Sequence, residues 1–449
     1  MTPEQSLPRE LTALPGEVGL PILGHTLAWL RDPIGLPTRL RAQHGDVFVH
    51  HLLFARPVVF AHPDAIGQIF ADEGAALSTA AGWRPFFGRV LPGGLLLRDH
   101  EDHRHHRGLM QAAFSQAALR AHVQVMNARI EPALDAWSEG GSGPQTRLAV
   151  PSFRQLTLDL AGALFLGAEL GADLPRLTQS FERVAEGVAG VVPWSLPGTA
   201  LWRGLRARAS LVAYLRGLIP GRRAAPTADL FGQLCQAVNE SGERYTDDEL
   251  VNHVLFMWMA AHDTTTGSLV MMAYELARDV EWQERLRAEA NSLGPNLPYE
   301  RLGEARETEQ VVNEVLRLYP PVGSVPRVTN RETRLGGVRL PPNTPIRASI
   351  LLAQRHPAFW SDPARFDPDR FSEARAEHRR HRHSFRPFGG GAHTCMGVRF
   401  AMLQIKAVML PLLRRFRLDL PPGYVLRIKP TPSFRPADDL PLLLTPINA

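Results

Sequence analysis

The sequence predicts one large domain, mostly α with a small β portion. Three observations carry that expectation. Of the 449 residues, 44% are hydrophobic and 21% charged, ordinary globular usage with enough apolar material for a sizeable core. From Glu101 to Ala290 apolar residues recur mainly at helical spacing. Short β-branched and aromatic runs cluster instead near 45–62 and 322–350. No internal repeat and no linker divides the chain, so 1–449 is read as a single domain with its helical core at 99–319 and 395–417.

The elements follow in order. Pro15 to Pro37 is punctuated by Pro and Gly. Asp46–Phe54 and Pro57–Ala61 read as a hairpin split by Ala55-Arg56. Pro63 opens a helix through Phe70, with Pro at the first turn. Ser78–Arg98 reads as a loop rich in Gly and aromatics: Trp83, Phe86 and Phe87. Leu156–Leu166 is apolar nearly all round, so it is expected to be buried. Val191–Gly198 breaks the helices. Its Trp194 would be the side chain to meet a membrane surface, although a packed turn is the plainer reading. Thr246 with Glu249 three residues on is a capping box. The helix it starts reaches about Asp279, on the order of 50 Å. Another helix ends at Tyr319-Pro320-Pro321, short strands follow over Val322–Pro345, and Pro357–Phe385 is irregular. A last long helix runs from near Cys395 to about Arg417.

Charge and cysteine content exclude several classes. The net charge is +5, and 48 of the 50 basic residues are arginine; Lys406 and Lys429 are the two lysines. The excess is spread along the chain, unlike a nucleic-acid footprint, and it suits a basic face that steers an acidic partner. Arginine-rich usage is equally a mark of a GC-rich genome. Two cysteines, Cys235 and Cys395, rule out a disulfide scaffold and a four-thiolate metal site within this chain. Cys235, on an amphipathic stretch, reads as a small buried hydrophobe. The N-terminus lacks a signal-peptide pattern. The most apolar stretch, Val254–Glu275, is interrupted by His262-Asp263-Thr264-Thr265-Thr266, so no transmembrane anchor and a cytoplasmic location are expected.

Phe388-Gly-Gly-Gly-Ala-His-Thr-Cys395-Met-Gly397 carries the strongest chemical signal. A phosphate loop would need Gly-Lys-Ser/Thr at its end, which is missing. A cysteine nucleophile would need a base, and His393 is near in sequence. A haem-binding thiolate accounts for the glycines, Phe388 and the bare approach at Gly397 together. A plain structural turn is the remaining reading. Backbone N–H groups after Cys395 and a helix N-terminus are expected to lower its thiol pKa. The segment resembles the cysteine signature of the cytochrome P450 family of haem-thiolate monooxygenases, Phe-x-x-Gly-x-x-x-Cys-x-Gly. His393 stands where most members carry Arg, as in members similar to sterol demethylases. It would still donate to a haem propionate, more weakly and with pH sensitivity.

Three further segments follow. Glu314 and Arg317 share a helix face among Val311, Val312, Val315, Leu316 and Leu318, which points to a buried pair. The pair resembles the family's Glu-x-x-Arg motif, and Arg370 in Phe366-Asp-Pro-Asp-Arg-Phe371 resembles the third member of that charge network. Polar residues in Ala260-Ala261-His262-Asp263-Thr264-Thr265 interrupt an apolar helix, and the plain reading is that Thr264 bonds back to a carbonyl one turn earlier. The segment also resembles the family's oxygen-activation motif. That resemblance implies that Thr264 hydrogen-bonds dioxygen or its water and that Asp263 relays protons, with Ala261 where most members have Gly. Asp99–Arg107 is rich in histidine. A metal site at His100 and His103 and a solvated helix start are two readings. The resemblance adds a third, His103 and Arg107 gripping a haem propionate, with Arg327 the other propionate-binding arginine. The His378–His383 run reads as a solvated loop on a partner-docking face.

The resemblance thus implies the cytochrome P450 fold with haem b (iron protoporphyrin IX) ligated by Cys395 and contacted by Phe388, Ala261 and Gly397. It implies hydroxylation of a lipophilic small molecule (terpenoid, steroid or fatty-acyl) in a pocket lined by Phe86, Phe87, Leu95, Ala260, Val322 and Val325. It further implies O2, a ferredoxin- or flavodoxin-type redox partner with its reductase, no nucleic acid, and a monomer. Two alternatives stay open: a peroxygenase using H2O2, and a haem sensor without turnover.

Overall fold

The computed structural model describes residues 11–447 apart from 12, 54, 139–142, 168–172, 191–193, 226, 228, 239–241 and 432. The helices are α1 (Thr26–Arg31), α2 (Gly35–His44), α3 (Pro63–Ala71), α4 (Thr79–Phe87), α5 (His100–Met110), α6 (Gln116–Ser138), α7 (Ala149–Leu166), α8 (Leu174–Ala189), α9 (Ala200–Ala224), α10 (Leu230–Gln236), α11 (Asp247–Arg278), α12 (Val280–Leu293), α13 (Arg306–Leu318), α14 (Ile350–Ala353) and α15 (Val398–Arg415). The strands are β1 (Val47–Val49), β2 (Val58–Phe60), β3 (Leu77–Ser78), β4 (Gln145–Leu148), β5 (Val325–Thr329), β6 (Thr333–Leu335), β7 (Val338–Leu340), β8 (Pro345–Ala348), β9 (Phe416–Asp419), β10 (Ile428–Lys429), β11 (Arg435–Pro436) and β12 (Pro441–Pro446). The mostly α expectation holds.

The two β-rich patches of the sequence merge into one sheet, ordered β1-β2-β8-β5-β3. β2 runs parallel to β8 and the other neighbours are antiparallel. A second sheet, β4-β12-β9, joins segments from both ends of the helical core.

α11 is the axis of the molecule. Thr246 accepts from Glu249 N while the Glu249 carboxylate accepts from Thr246 N, so the expected capping box is present. Its apolar residues are buried on most sides, including Trp258, Leu269, Val270 and Met271 at 0% exposure. α7 and α15 flank it. The stretch Gly391–Arg415 is long and apolar enough to cross a bilayer by composition, but most of it is buried, as in a core helix.

Four expectations need correction. Ser78–Arg98 is not a loop: Ser78 caps α4 by accepting from Ala81 N, and a short 3₁₀ turn forms at Leu95–Leu97. Gly82 and Pro85 made the segment read as irregular, whereas the cap and the contact with β5 decide it. The last helix starts at Val398 rather than at Cys395 and gives way at Phe416 to β9. Gln145–Leu148, inside the expected helical region, is a strand because it has β12 to pair with. Of the 191–198 turn, residues 191–193 lie outside the described residues; Trp194 is 64% exposed rather than packed.

Candidate active site

A cavity with about 280 Å3 open to the centres of water molecules lies between the middle of α11 and the glycine-rich loop before α15. Phe388, Cys395 and Gly397 line it from the loop side. Cys395 N donates to Phe388 O at 3.0 Å and closes the loop. Gly391 takes φ +65°, and a Cβ there would lie 1.8 Å from the Phe70 carbonyl oxygen, so only glycine lets the loop pack on α3. At Gly397 a Cβ would meet only the Cys395 sulfur, at 3.8 Å, which leaves the approach to the thiol bare. Burial pushes the Cys395 thiol up, opposed by the Gly397 N–H and the Arg107 guanidinium. The helix N-terminus alone therefore does not make it a thiolate, contrary to expectation, since α15 begins three residues later. A bound metal cation is what deprotonates such a thiol.

One end of the cavity is cationic. Arg107 of α5 and Arg327 of β5 line it, and neither has a carboxylate within ion-pair distance among the described residues. Arg327 donates only to the Pro326 carbonyl, at 2.8 Å, and burial holds its pKa down at about 10. The His103 and His393 rings lie against each other beside them, tilted by 33° with centroids 3.7 Å apart. Burial and Arg107 hold His103 down at about 4; burial, His103 and Arg327 hold His393 down at about 2. His103 Nε2 and His393 Nδ1 are buried without a partner. Two unpaired guanidinium groups and two orphaned imidazole nitrogens call for anionic acceptors. A planar ligand carrying two carboxylates and a metal for the sulfur fits this donor set, and haem b has that chemistry. Asp99 does not serve here: it accepts from Thr79 N at 2.8 Å and Ala80 N at 3.1 Å. His100 is exposed while His103 is buried, so the structure does not bring the two together as metal ligands.

The opposite wall is α11. Ala260, Ala261, Thr264, Thr265 and Ser268 line the cavity. Thr264 Oγ1 donates to Ala260 O at 2.6 Å, Thr266 to His262 O at 2.9 Å, and Ser268 to Thr264 O at 2.9 Å. Such back-bonding loosens the helical ladder locally. Asp263 sits beside the cavity rather than in its wall. Its carboxylate lies 3.9 Å from Arg435, and Ser433 reaches its carbonyl at 3.3 Å. Burial pushes the Asp263 pKa up, opposed by Arg435 and Ser433.

Leu95, Ala260, Val322 and Val325 line the apolar part of the cavity, but Phe86 and Phe87 do not. Phe86 is 43% exposed, and Phe87 packs edge-on against Phe256 with ring centroids 6.0 Å apart. Because α4 is helical, Trp83 occupies the wall instead, and Met110, Phe114, Phe256 and Met257 join it. Met110 ends α5, Phe114 lies in the turn after it, and Phe256 and Met257 are on α11, so their inward placement shows only once the helices are oriented.

Behind the loop, the Glu314, Arg317 and Arg370 side chains are fully buried. Glu314 holds Arg317 through contacts of 2.6 and 2.8 Å and Arg370 at 3.1 Å. Arg317 donates to the carbonyls of Gln354, Pro363 and Arg365, and Glu377, absent from the sequence reading, meets Arg370 at 3.2 Å. Asp46, His62 and His356 have ligand atoms within 4.8 Å of one another. Arg41 already fills that place, 2.7 Å from Asp46 and 2.8 Å from His356. Cys235 is buried, and its thiol is pushed up to about 11 by burial.

The cytochrome P450 family model matches residues 14–437. A putative cytochrome P450 136 of Mycobacterium tuberculosis is 37% identical over 96% of this chain and 88% of its own length. Cyclooctat-9-en-7-ol 5-monooxygenase of Streptomyces melanosporofaciens is 29% identical over 92% of this chain and 90% of its own. Among solved structures, retinoic acid-bound cyanobacterial CYP120A1 superposes with a TM-score of 0.89 at 29% identity, covering 98% of this chain and 100% of that one. The thiol, the two unpaired arginines and the long central helix thus line one cavity in a chain that is similar to cytochromes P450 over nearly its whole length. This chain belongs to the cytochrome P450 family: it is a monooxygenase, and its cofactor is haem.

Proposed function

We propose that this enzyme hydroxylates a lipophilic, isoprenoid-type molecule, with two electrons delivered by a separate ferredoxin- or flavodoxin-type partner and its reductase. The observation that carries the proposal is the cavity wall away from its cationic end. Trp83, Leu95, Phe114, Phe256, Met257 and Val322 present carbon surface, and no charged side chain other than Arg107 and Arg327 lines the cavity among the described residues. Such a wall binds the hydrocarbon part of a ligand by apolar burial. The relatives point the same way: one is named for an unsaturated alcohol, and another was solved with retinoic acid bound.

The balance is R–H + O2 + 2 H+ + 2 e− → R–OH + H2O. Haem, when bound, supplies the cleavage of the O–O bond and the attack on the C–H bond. The chain supplies the rest. Cys395 Sγ would ligate the iron, and Arg107, Arg327, His103 and His393 would hold the propionates. The Thr264 hydroxyl, now donating to Ala260 O, faces the cavity and would turn to hand a proton inward. Asp263, flanked by Arg435, would reload it from the outer side of α11. The aromatic and methionine side chains exclude bulk water, so protons arrive through these groups rather than at random.

The test uses the haem-loaded enzyme titrated with isoprenoid alcohols and acids, steroids and fatty acids. Isoprenoids are expected to convert the water-ligated haem spectrum to the water-free form, and reductase with ferredoxin then to give products heavier by one oxygen. A response to fatty acids alone overturns the substrate class. Turnover with peroxide but none with ferredoxin and reductase overturns the electron route.

A further inference from the structure

His262 is not needed by the chemistry above, yet it is among the most enclosed polar groups of α11. On the face of α11 turned from the cavity, Trp258, His262 and Thr266 follow one another a turn apart, at 0, 4 and 4% exposure. His262 Nδ1 lies 2.9 Å from Thr157 Oγ1 of α7, and that hydroxyl lies 2.7 Å from Thr266 Oγ1. Phe181 of α8 covers the group. It stacks on Trp258 at 4.8 Å and meets His262 edge-on at 6.1 Å between ring centroids. Burial, with Arg154 and Arg435 nearby, holds the His262 pKa down at about 3, so the imidazole is neutral at pH 7.

A leucine would fill this space without the cost of burying a polar ring. What the polar triangle adds is direction. Apolar packing lets a helix roll slightly about its axis, whereas hydrogen bonds weaken steeply with angle and distance. At about 100° per residue, positions 262 and 266 lie across the helix from 260 and 264. Tying 262 and 266 to α7 therefore fixes the azimuth at which Ala260, Ala261 and Thr264 face the cavity. The Thr266 hydroxyl also reaches the His262 carbonyl at 2.9 Å, so side-chain and backbone registers are locked together.

We infer that His262 is a positioning residue: with Thr157 and Thr266 it sets the rotation of α11, and so where the Thr264 hydroxyl stands across the cavity from Cys395. The inference rests on the reading of Thr264 given under the proposed function.

The infrared stretch of carbon monoxide on the reduced holoenzyme tests it, because that frequency reports hydrogen-bond donors beside the ligand and needs no substrate. The variants are Thr264→Ala, Thr157→Val, His262→Leu and His262→Asn. Thr157→Val and His262→Leu are expected to move the band in the direction that Thr264→Ala moves it. His262→Asn, whose amide can replace Nδ1, is expected to keep the wild-type band. The Thr157→Val/His262→Leu double variant is expected to move it no further than either single change, as for two ends of one link. Thr157→Val is isosteric, so it carries the test if His262→Leu does not accumulate. A Thr157→Val holoenzyme with the wild-type band overturns the inference. An unmoved band in Thr264→Ala overturns instead the reading of Thr264 on which it rests.

Discussion

Cys395 and Cys235 show how environment divides one residue type into two fates. Both thiols are pushed up by burial and drawn back by nearby guanidinium groups, but only Cys395 also has a backbone N–H drawing it back, and only Cys395 opens into the cavity. Cys395→Ser is expected to abolish the thiolate signature of the reduced carbon monoxide complex, while Cys235→Ser leaves it unchanged. Difference spectroscopy on haem-loaded protein checks both. Thr264→Ala is expected to lower product formation by roughly ten- to a hundredfold, with the electrons appearing as peroxide. Assaying peroxide against NADPH consumed decides it, and unchanged coupling would refute the role. The thiol loop was legible in the sequence because its chemistry is local: three glycines, a thiol and a bare neighbour lie within ten residues. Trp83 was not, because whether it or Phe86 faces inward depends on α4 being a helix, and Ser78 decides that by capping Ala81 N.

At the scale of elements, the irregular 357–385 segment is braced by charge rather than by secondary structure. Glu377 is its keystone. Burial pushes its carboxyl up, yet Arg375, the Ser361 N–H, Arg370 and Arg380 outweigh that and hold it down at about 2. Its unfolded value is near 4.5, so the stabilisation is complete above that pH and is lost as pH falls from about 4.5 towards 2. Its size is of order 2 kcal/mol after allowance for solvent screening. Glu377→Gln is expected to flatten the acid limb of unfolding stability between pH 5 and 3 while leaving its shape above pH 5 unchanged. Urea denaturation at a series of pH values measures this, and an acid limb identical to wild type would refute it. Helices with local stop and start signals were legible in advance, Thr246 with Glu249 being the clearest. β4 was not, since nothing in Gln145–Leu148 states that residues 441–444 will lie beside it. Glu377 escaped notice for a different reason: Arg370, Arg375 and Arg380 are near it in sequence, but nothing in an irregular, charge-rich segment marks which carboxylate will be buried among them.

The whole molecule combines a modest positive charge with an arginine-rich composition. If an acidic electron carrier docks by charge, ferredoxin-driven turnover is expected to fall severalfold between about 50 and 300 mM salt, while peroxide-driven turnover stays level. Parallel salt series on the two reactions check it, and equal sensitivity would refute docking by charge. The mostly α architecture was legible from periodicity and composition, whereas the merger of two distant β patches into one sheet was not, because strand pairing across roughly 290 residues leaves no local trace. The β4-β12-β9 sheet carries a consequence for biogenesis. Its middle strand is made roughly 300 residues after β4, a wait of about 15 s or more at ordinary translation speeds. Until then β4 waits without its partner, β9 being made only shortly before β12, which makes ribosome pausing or a bound chaperone, rather than pigment supply, the first suspect whenever this polypeptide accumulates in inclusion bodies.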